Sequence, residues 1–387
     1  MTGKPLRLYF VVGEISGDAL GADLVDQFGE LGIAVETMGL GGPKLQERGL
    51  KPLFDSSEIA VMGISGVVAK LPALLSRTKR VAQDVVERRP DVLLLIDSPE
   101  FAKQVAKRVK ARMPDLPVVK YVCPTVWSWR PGRAKTMTGY VDHVLAILPF
   151  EPDVMRELGG PPTTYVGHPL ARLAGTVDLE SRQKPKDPPL ILLLPGSRRS
   201  ETSRLLPVLR ESIKVLHRRG LKADYVLPAV PHLEDEIRRE TAGWEIRPEI
   251  VSGEAAKTSA MERADAAIAA SGTAILELAM YGVPTVSIYK LDKAIYALRF
   301  MIRGWTAALP NLIADTPIVP ERFNEYANPE YVARMTEPLL ADTLQRRAQL
   351  EGFRLVHARM KQDEAPGRIC ARIIAGMAQP GVKPVGE

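Results

Sequence analysis

Two turns in the second half of the sequence carry residue types that bind phosphate. The first follows the apolar run LILLL (190–194) and contains Gly196, Ser197 and Arg198. Backbone N–H groups at the start of a helix favour anions, and an arginine beside them adds a charge-assisted hydrogen bond. This turn alone is a weak signal, because many helices simply begin with basic residues.

The second turn contains Ser271, Gly272 and Thr273, and it follows another apolar run. Glu277 falls one helical turn beyond Thr273, where its carboxylate could accept hydrogen bonds from both hydroxyls of a ribose. The alternative is an ordinary helix cap followed by a solvated glutamate. Together the two turns predict a nucleoside diphosphate site. The sequence has no Asp-x-Asp, so we expect helix ends and arginines to balance the charge, without a metal ion or another cofactor.

The first turn of the chain is acidic instead. The apolar run LRLYFVV (6–12) ends at Gly13 and is followed by Glu14, Ser16 and Asp18, which predicts a strand, a tight turn and the start of a helix. The glycines at 13, 17 and 21 do not form G-x-G-x-x-G. Acids stand where that motif would bring a pyrophosphate, so this turn does not predict a dinucleotide site.

The elements that must position these residues are strands and helices in alternation. Continuous apolar runs are typical of parallel strands that are buried on both faces. They occur as DVLLLID (91–97), VVKYVC (118–123), HVLAILP (143–149), ADYVLPAV (223–230) and ADAAIAA (264–270). The polar, proline-rich stretch 181–189 reads as a linker between two such series. We therefore predict an α/β protein with two Rossmann-like parallel-sheet domains facing a cleft, residues 1–180 and 181–354.

Composition places the chain among ordinary globular proteins. Its 387 residues are 45% hydrophobic and 25% charged, and its two cysteines, Cys123 and Cys370, lie far apart, which favours a reducing compartment over a disulfide framework. The apolar run before Glu14 is short for a signal peptide, and no charge-free apolar stretch reaches the roughly 18 residues of a membrane span. We expect a soluble, cytoplasmic protein.

One region is strongly basic and another is apolar. Between Lys70 and Lys135 there are 15 Lys and Arg residues against 6 Asp and Glu, and Lys103, Lys107 and Lys110 share one side of a predicted helix. The apolar segment 59–75 contains two glycines and Pro72, which argue against one regular helix. Either these are a solvated helix face and a piece of core, or they form a surface for an anionic membrane. The region lacks the interleaved aromatics of a nucleic-acid site.

Nine short motifs occur in an order that resembles the lipid-A-disaccharide synthase family, which is glycosyltransferase family 19 with the GT-B fold. They are GEISGD (13–18), AVMGI (60–64), IDSPEF (96–101), YVCPTVWSWR (121–130), LPFEP (148–152), YVGHPL (165–170), LLPGSR (193–198), ASGTA (270–274) and LPNL (309–312). The resemblance implies transfer of 2,3-diacylglucosamine from UDP to 2,3-diacylglucosamine 1-phosphate. The product would be a β-1,6-linked disaccharide phosphate, formed at the inner face of the cytoplasmic membrane.

The resemblance also assigns roles to the two halves. The N-terminal domain would take the acylated acceptor, the C-terminal domain would take the UDP-sugar, and a C-terminal helix at about 355–387 would pack back on the first domain. An acidic first turn is then suitable, because its ligand would be sugar hydroxyls. The implied acceptor residues are Glu14, Ser16, Asp18, Met62, Ser65, Trp127 and Arg130. Asn311 of LPNL joins the donor residues, and a homodimer stays open because the family includes dimers.

The catalytic base is implied to come from IDSPEF. The family's usual aspartate at the fifth position is Glu100 here, so we take Glu100 as the first candidate and Asp97 as the reserve. Ile15 and Cys123 are two further departures from the family pattern. His168 is a weaker candidate base, because it falls near the expected hinge between the domains.

Three other functions are weighed against this one. They are another GT-B enzyme of UDP-N-acetylglucosamine, a membrane-peripheral UDP-sugar-binding or scaffold protein without turnover, and a nicotinamide-dependent dehydrogenase. The first would not be expected to share IDSPEF and VWSWR in this order. The dehydrogenase is disfavoured because neither half has G-x-G-x-x-G with a following acid.

Overall fold

The computed structural model describes residues 4–55, 67–291 and 304–378. The chain forms two compact units. The first comprises the described residues up to His168 together with those from Gln362 onward, and the second runs from Pro169 to Lys361. The predicted acceptor residues Met62 and Ser65 lie outside the described residues. No helix within the described ranges is long and apolar enough to cross a membrane.

The first unit is built on a parallel sheet of seven described strands. They are β1 (Leu6–Val12), β2 (Val35–Leu40), β3 (Lys51–Pro52), β4 (Val92–Ile96), β5 (Val118–Tyr121), β6 (His143–Ala146) and β7 (Thr163–Tyr165), in the spatial order β3-β2-β1-β4-β5-β6-β7. The intervening described helices are α1 (Ile15–Glu30), α2 (Pro43–Gln46), α3 (Val67–Arg88), α4 (Pro99–Lys110), α5 (Gly132–Met137) and α6 (Glu151–Glu157). α3 runs through Pro72, whereas the part of the apolar segment before Val67, including its two glycines, lies outside the described residues.

Alternation along the strands builds a core on each face of this sheet. In β1, Tyr9 and Val11 join the core on one face, whereas Leu8 and Phe10 join the core on the other. Because helices cover both faces, the strands are apolar at most positions, which explains the long apolar runs in the sequence.

The second unit repeats this plan. Its strands are β8 (Leu190–Leu194), β9 (Asp224–Ala229), β10 (Glu249–Ser252), β11 (Ala266–Ala270), β12 (Thr285–Tyr289) and β13 (Glu321–Phe323), in the order β10-β9-β8-β11-β12-β13. Its described helices are α7 (Arg199–Arg218), α8 (Glu234–Thr241), α9 (Glu254–Arg263), α10 (Thr273–Met280), α11 (Leu309–Ala314), α12 (Pro329–Thr336) and α13 (Leu344–Met360). Two parallel-sheet Rossmann-like domains are therefore present, as the alternation predicted.

The units divide between His168 and Pro169, ahead of the predicted boundary between residues 180 and 181. Leu179 is buried in the core of the second unit. The fully buried Arg346 donates hydrogen bonds to the backbone carbonyls of Arg182 and Gln183. Residues 181–189 are thus held by the second unit and are not a free linker, because their partners lie about 80 to 160 residues further along the chain.

The C-terminal helix α14 (Pro366–Ala378) belongs to the first unit. Cys370, Ala371 and Ile374 enter the same core as Phe28 of α1. The chain returns to the first unit at Gln362, whereas the expected return was at about residue 355. The difference arises because α13 packs with the second unit, where Phe353 is buried.

Candidate functional site

In the first unit, the order of the strands reverses between β1 and β4. β1 pairs with β2 on one side and with β4 on the other, both parallel. Open parallel sheets bind ligands outside the carboxyl ends of their strands at such a point. The turns that follow these two strands hold Glu14 and Ser16 in one case and Asp97 in the other. The structure therefore brings the acidic first turn and the predicted base turn together.

Asp97 lies at the centre of this junction. Its carboxylate accepts a long hydrogen bond from the Ser16 hydroxyl, at 3.4 Å. Gly17 is needed beside it, since a Cβ there would lie 2.6 Å from the Asp97 Oδ2 atom. Burial raises the pKa of Asp97, while the positive charge of Lys120 and the bond from Ser16 oppose that rise. The group is a half-buried carboxyl with a pKa above its ordinary range.

Glu100 occupies a different environment in the first turn of α4. Its side chain is 57% exposed and forms an ion pair with Arg133 of α5. The two residues line a small pocket with Lys103, Lys120 and other side chains of the first unit. Glu100 is thus a solvent-facing carboxylate that already has a cationic partner.

Asp18 points inward, although the sequence grouped it with the exposed residues Glu14 and Ser16. It is 3% exposed, and its carboxylate accepts from the backbone N–H groups of Gly42 and Lys44, each at 2.8 Å, and of Leu45 at 3.2 Å. These N–H groups belong to the start of α2, which has no partner for them within the helix. Asp18 therefore holds α2 against α1 and does not reach solvent as an acceptor ligand.

The loop after β5 is organised by a buried carboxyl group for which the sequence predicted no role. Glu151 is 2% exposed and accepts from the Leu148 N–H at 3.0 Å and from the Trp127 indole N–H at 3.4 Å. The Trp127 ring also meets Phe150 edge to face, with centroids 5.5 Å apart. Burial raises the pKa of Glu151 to about 8. The LPFEP motif therefore fixes the predicted acceptor residue Trp127.

Two other predicted residues in the first unit differ in exposure. Arg130 is exposed, has a positive φ of 53°, and its guanidinium lies over the Trp129 ring at 5.5 Å. His168 is buried, and burial lowers its pKa to about 4, so the imidazole is neutral near pH 7. A neutral, buried imidazole at the end of the unit is a weaker candidate base than Asp97.

The second unit has its own reversal point, between β8 and β11. β8 pairs with β9 on one side and with β11 on the other. The predicted phosphate turns, 195–198 and 271–273, follow these two neighbouring strands. The structure thus places both turns at the same edge of one sheet.

The first of these turns is held by Glu201. Gly196 has a φ of 100°, and a Cβ there would lie 2.6 Å from the Glu201 carboxylate. Arg198 is 77% exposed and donates to that carboxylate at 3.0 Å, while the Tyr289 hydroxyl lies 3.4 Å from the same oxygen. Ser197 is exposed beside them. The turn thus combines a glycine of positive φ with an exposed arginine and an exposed serine.

The second turn begins α10. Gly272 has a φ of 149°, Thr273 is the first helical residue, and Ser271 donates its N–H to the Ile288 carbonyl at 3.0 Å. Glu277 follows one turn later, is 18% exposed, and is paired with Lys257 of α9 at 2.7 Å. The alternative interpretation supposed a freely solvated glutamate, whereas the Glu277 carboxylate has a cationic partner and little exposure.

Asn311 is not exposed. It is 2% exposed, its amide donates to the Val319 carbonyl at 3.0 Å, and its oxygen accepts from the N–H groups of Ile318 and Val319. The side chain therefore fastens α11 to the loop residues just before β13. Across the described ranges, no group of three His, Cys, Asp or Glu side chains could hold a metal ion.

Comparison with known proteins adds a second line of findings. The family model for lipid-A-disaccharide synthetase matches residues 8–374. A lipid-A-disaccharide synthase from Bradyrhizobium diazoefficiens is 40% identical over 381 residues, covering 97% of each chain. One from Rhodopseudomonas palustris is 43% identical over 358 residues, covering 91% of each chain.

Solved structures with a similar fold are far less similar in sequence. Acinetobacter baumannii MurG matches with a TM-score of 0.63 at 14% identity, over 96% of this chain and 99% of that one. A UDP-GlcNAc 2-epimerase from Methanocaldococcus jannaschii, in complex with UDP-GlcNAc and UDP, matches with a TM-score of 0.61 at 12% identity, over 96% and 99%. At such identities the likeness concerns the fold alone, and it confirms the predicted GT-B class.

Proposed function

Because the chain belongs to the lipid-A-disaccharide synthase family, we propose that it joins UDP-2,3-diacylglucosamine to 2,3-diacylglucosamine 1-phosphate. The products are the β-1,6-linked disaccharide 1-phosphate and UDP. The observation that carries this proposal is the match of the family model to residues 8–374, together with relatives at 40–43% identity that cover more than nine tenths of each chain.

The reaction is a single displacement with inversion at the anomeric carbon of the donor. The 6-hydroxyl oxygen of the acceptor forms the new bond to that carbon, the bond from the carbon to the UDP oxygen breaks, and a carboxylate takes the hydroxyl proton. A positioned general base contributes roughly 10²- to 10⁴-fold in rate. UDP leaves with the electron pair and needs a cationic environment.

We assign the base to Asp97 rather than to Glu100. Asp97 lies at the reversal point of the sheet, beside the Ser16 hydroxyl, and burial raises its pKa toward the range that suits a base. Glu100 is more exposed, and its carboxylate is engaged by Arg133. In this proposal Glu100 and Arg133 shape the edge of the acceptor site, with Glu14, Ser16, Trp127 and Arg130.

The donor site is assigned to the two turns of the second unit. Arg198 and the N–H groups of the 271–273 turn would hold the diphosphate, and Glu277 would accept from the ribose hydroxyls. The Lys257 ammonium fixes the Glu277 carboxylate by one oxygen, which leaves acceptor capacity for the ligand.

We also propose that the protein works in the cytoplasm and binds the inner membrane surface peripherally, because both substrates are acylated. The support is the basic side of α4, where Lys103 and Lys107 lie without an acidic partner among the ion pairs of the described residues. Lys110, in contrast, is paired with Asp142 at 2.7 Å, so it is a poor lipid contact.

The decisive experiment is an assay of the purified protein with both substrates. We expect one UDP and one disaccharide 1-phosphate per donor consumed, with β configuration at the new linkage. UDP release without disaccharide would contradict the proposed acceptor. The absence of any turnover would instead support a non-catalytic UDP-sugar-binding protein.

A further inference from the structure

Lys120 is a charged residue in a position where the fold demands apolar ones. It lies in the interior strand β5, is 5% exposed, and is flanked by the buried residues Val119 and Tyr121. Burying an ammonium group is costly unless it is hydrogen-bonded and paired. Its presence therefore calls for a specific partner.

That partner is the turn that carries Asp97. The Lys120 Nζ atom donates to the backbone carbonyl oxygen of Asp97 at 2.7 Å. This oxygen belongs to the peptide between Asp97 and Ser98, two non-glycine residues with positive φ values of 56° and 42°. Such backbone conformations persist only where surrounding contacts hold them. Lys120 thus holds the strained peptide from inside the sheet.

We propose that Lys120 is a positioning residue for the transfer reaction: its ammonium group clamps the Asp97–Ser98 peptide and places a positive charge near the Asp97 carboxylate. This inference rests on the proposed function, in which Asp97 is the base. Lys120 acts through the turn, because its ammonium group is bound to the Asp97 carbonyl oxygen.

The direction of the electrostatic effect follows from the charges nearby. Burial lowers the pKa of Lys120 to about 8, so the side chain is largely protonated below that pH. Its positive charge opposes the rise in the pKa of Asp97 that burial causes. The other titratable groups that act on this pair are Glu14, Tyr121 and Cys123. Four more titratable or charged residues line the same pocket as Lys120: Glu100, Lys103, Arg133 and Tyr140. Burial raises the pKa values of Tyr121 and Cys123 well above neutrality, so both stay uncharged.

The test is the pH profile of kcat/KM for Lys120→Met, compared with the wild-type protein. Only the carboxylate form of Asp97 accepts the proton, so loss of the positive charge should move the acidic limb upward by about one pH unit or more. We also expect kcat to fall at least about tenfold at pH 7 with little change in KM, because a general base and its geometry act in the transition state. Lys51→Met, which removes an exposed lysine of β3, should leave the profile unchanged.

A second variant separates the charge from the clamp. Lys120→Gln removes the charge but keeps a hydrogen-bond donor, so its acidic limb should move as far as that of Lys120→Met with a smaller loss of kcat. In an Asp97→Asn background, Lys120→Met should cost little further rate, because both changes remove the same base.

The outcomes are distinguishable. If Asp97→Asn turns over at the wild-type rate, the assignment of the base fails. If Asp97→Asn is inactive but both Lys120 variants keep the acidic limb of the wild-type pH profile of kcat/KM, this inference alone is overturned. Failure of both Lys120 variants to fold, measured by circular dichroism and thermal unfolding, would make Lys120 a structural residue and would also overturn it.

Discussion

The ammonium group of Lys257 lies 2.7 Å from the carboxylate of Glu277, and this ion pair joins α9 to α10 at the edge of the second sheet. The pair fixes a carboxylate one helical turn beyond the 271–273 turn. A ligand whose phosphate binds that turn would therefore find the Glu277 carboxylate already oriented. Its hydroxyls could donate to that carboxylate without rearrangement of the Glu277 side chain.

The first prediction concerns the two ligands assigned to UDP. Arg198→Ala and Glu277→Ala should each weaken UDP binding about ten- to hundredfold, because a hydrogen bond to a charged group contributes about 1.5–3 kcal/mol. Titration calorimetry with UDP measures this directly. The matched controls are Arg199→Ala, which removes the neighbouring arginine paired with Glu236, and Glu254→Ala, which removes the weaker partner of Lys257. Equal affinities for all four variants would contradict the donor site.

The sequence predicted the sheets well for a physical reason. Strands such as Val92–Ile96 and Leu190–Leu194 are buried on both faces, so their composition alone distinguishes them from helices with one polar face. The turns after such strands were predictable too, because glycine and polar residues end the apolar runs at Gly13 and Gly196.

The roles of buried polar residues were not predictable, because their partners are distant in the chain. Asp18 binds backbone groups 24 to 27 residues away, and Lys120 binds a carbonyl 23 residues away. Asn311 lies in a motif that suggested a ligand contact, yet its side-chain amide is already hydrogen-bonded to the backbone of Val319 and its neighbours. A sequence pattern cannot tell whether a polar side chain faces solvent or the backbone of its own fold.

The second prediction separates the two carboxylates of the 97–100 turn. Asp97→Asn should lower kcat roughly 10²- to 10⁴-fold with little change in KM, because the amide keeps the size but cannot accept the proton. Glu100→Gln should have a smaller effect and act mainly on the KM for the acceptor. Steady-state kinetics with both substrates gives the comparison. The reverse pattern, with Glu100→Gln inactive and Asp97→Asn active, would return the base to Glu100.

The third prediction is a pH dependence of stability that arises from Glu151. Burial raises its pKa in the folded protein from 4.5 to about 8. The folded state then binds the proton more tightly than the unfolded state, so the stabilisation is complete below about pH 4.5 and is lost as the pH rises through about 8. Between these values one such group changes the free energy of unfolding by up to about 1.4 kcal/mol per pH unit.

The variant Glu151→Gln tests this sign. Glutamine keeps an acceptor for the Leu148 and Trp127 N–H groups but does not titrate. In urea unfolding from pH 5 to pH 9, the wild-type protein should lose stability relative to the variant as the pH rises. A constant difference between the two proteins over this range would show that Glu151 does not change its protonation state on folding.

The fourth prediction is that the transfer reaction is independent of divalent metal ions. The sequence lacks Asp-x-Asp, and Arg198 with the two turns can balance the diphosphate. We expect turnover to be unchanged by excess EDTA. Loss of activity in EDTA and its recovery with Mg²⁺ or Mn²⁺ would contradict this expectation.

The last prediction concerns the membrane surface. The double variant Lys103→Glu/Lys107→Glu should bind anionic vesicles about tenfold more weakly or worse, because each basic residue near such a surface contributes about 1 kcal/mol and the change reverses two charges. Lys110 is left in place, since a glutamate there would face Asp142 and destabilise the fold.

The control is Lys44→Glu/Lys51→Glu, which makes the same change of charge on α2 and β3. Both proteins should melt close to the wild-type temperature. In vesicle sedimentation, salt should release the wild-type protein in part, as screening of surface charges requires. If the two double variants sediment alike, total charge decides binding, and the side of α4 that carries Lys103 and Lys107 is an ordinary solvated face.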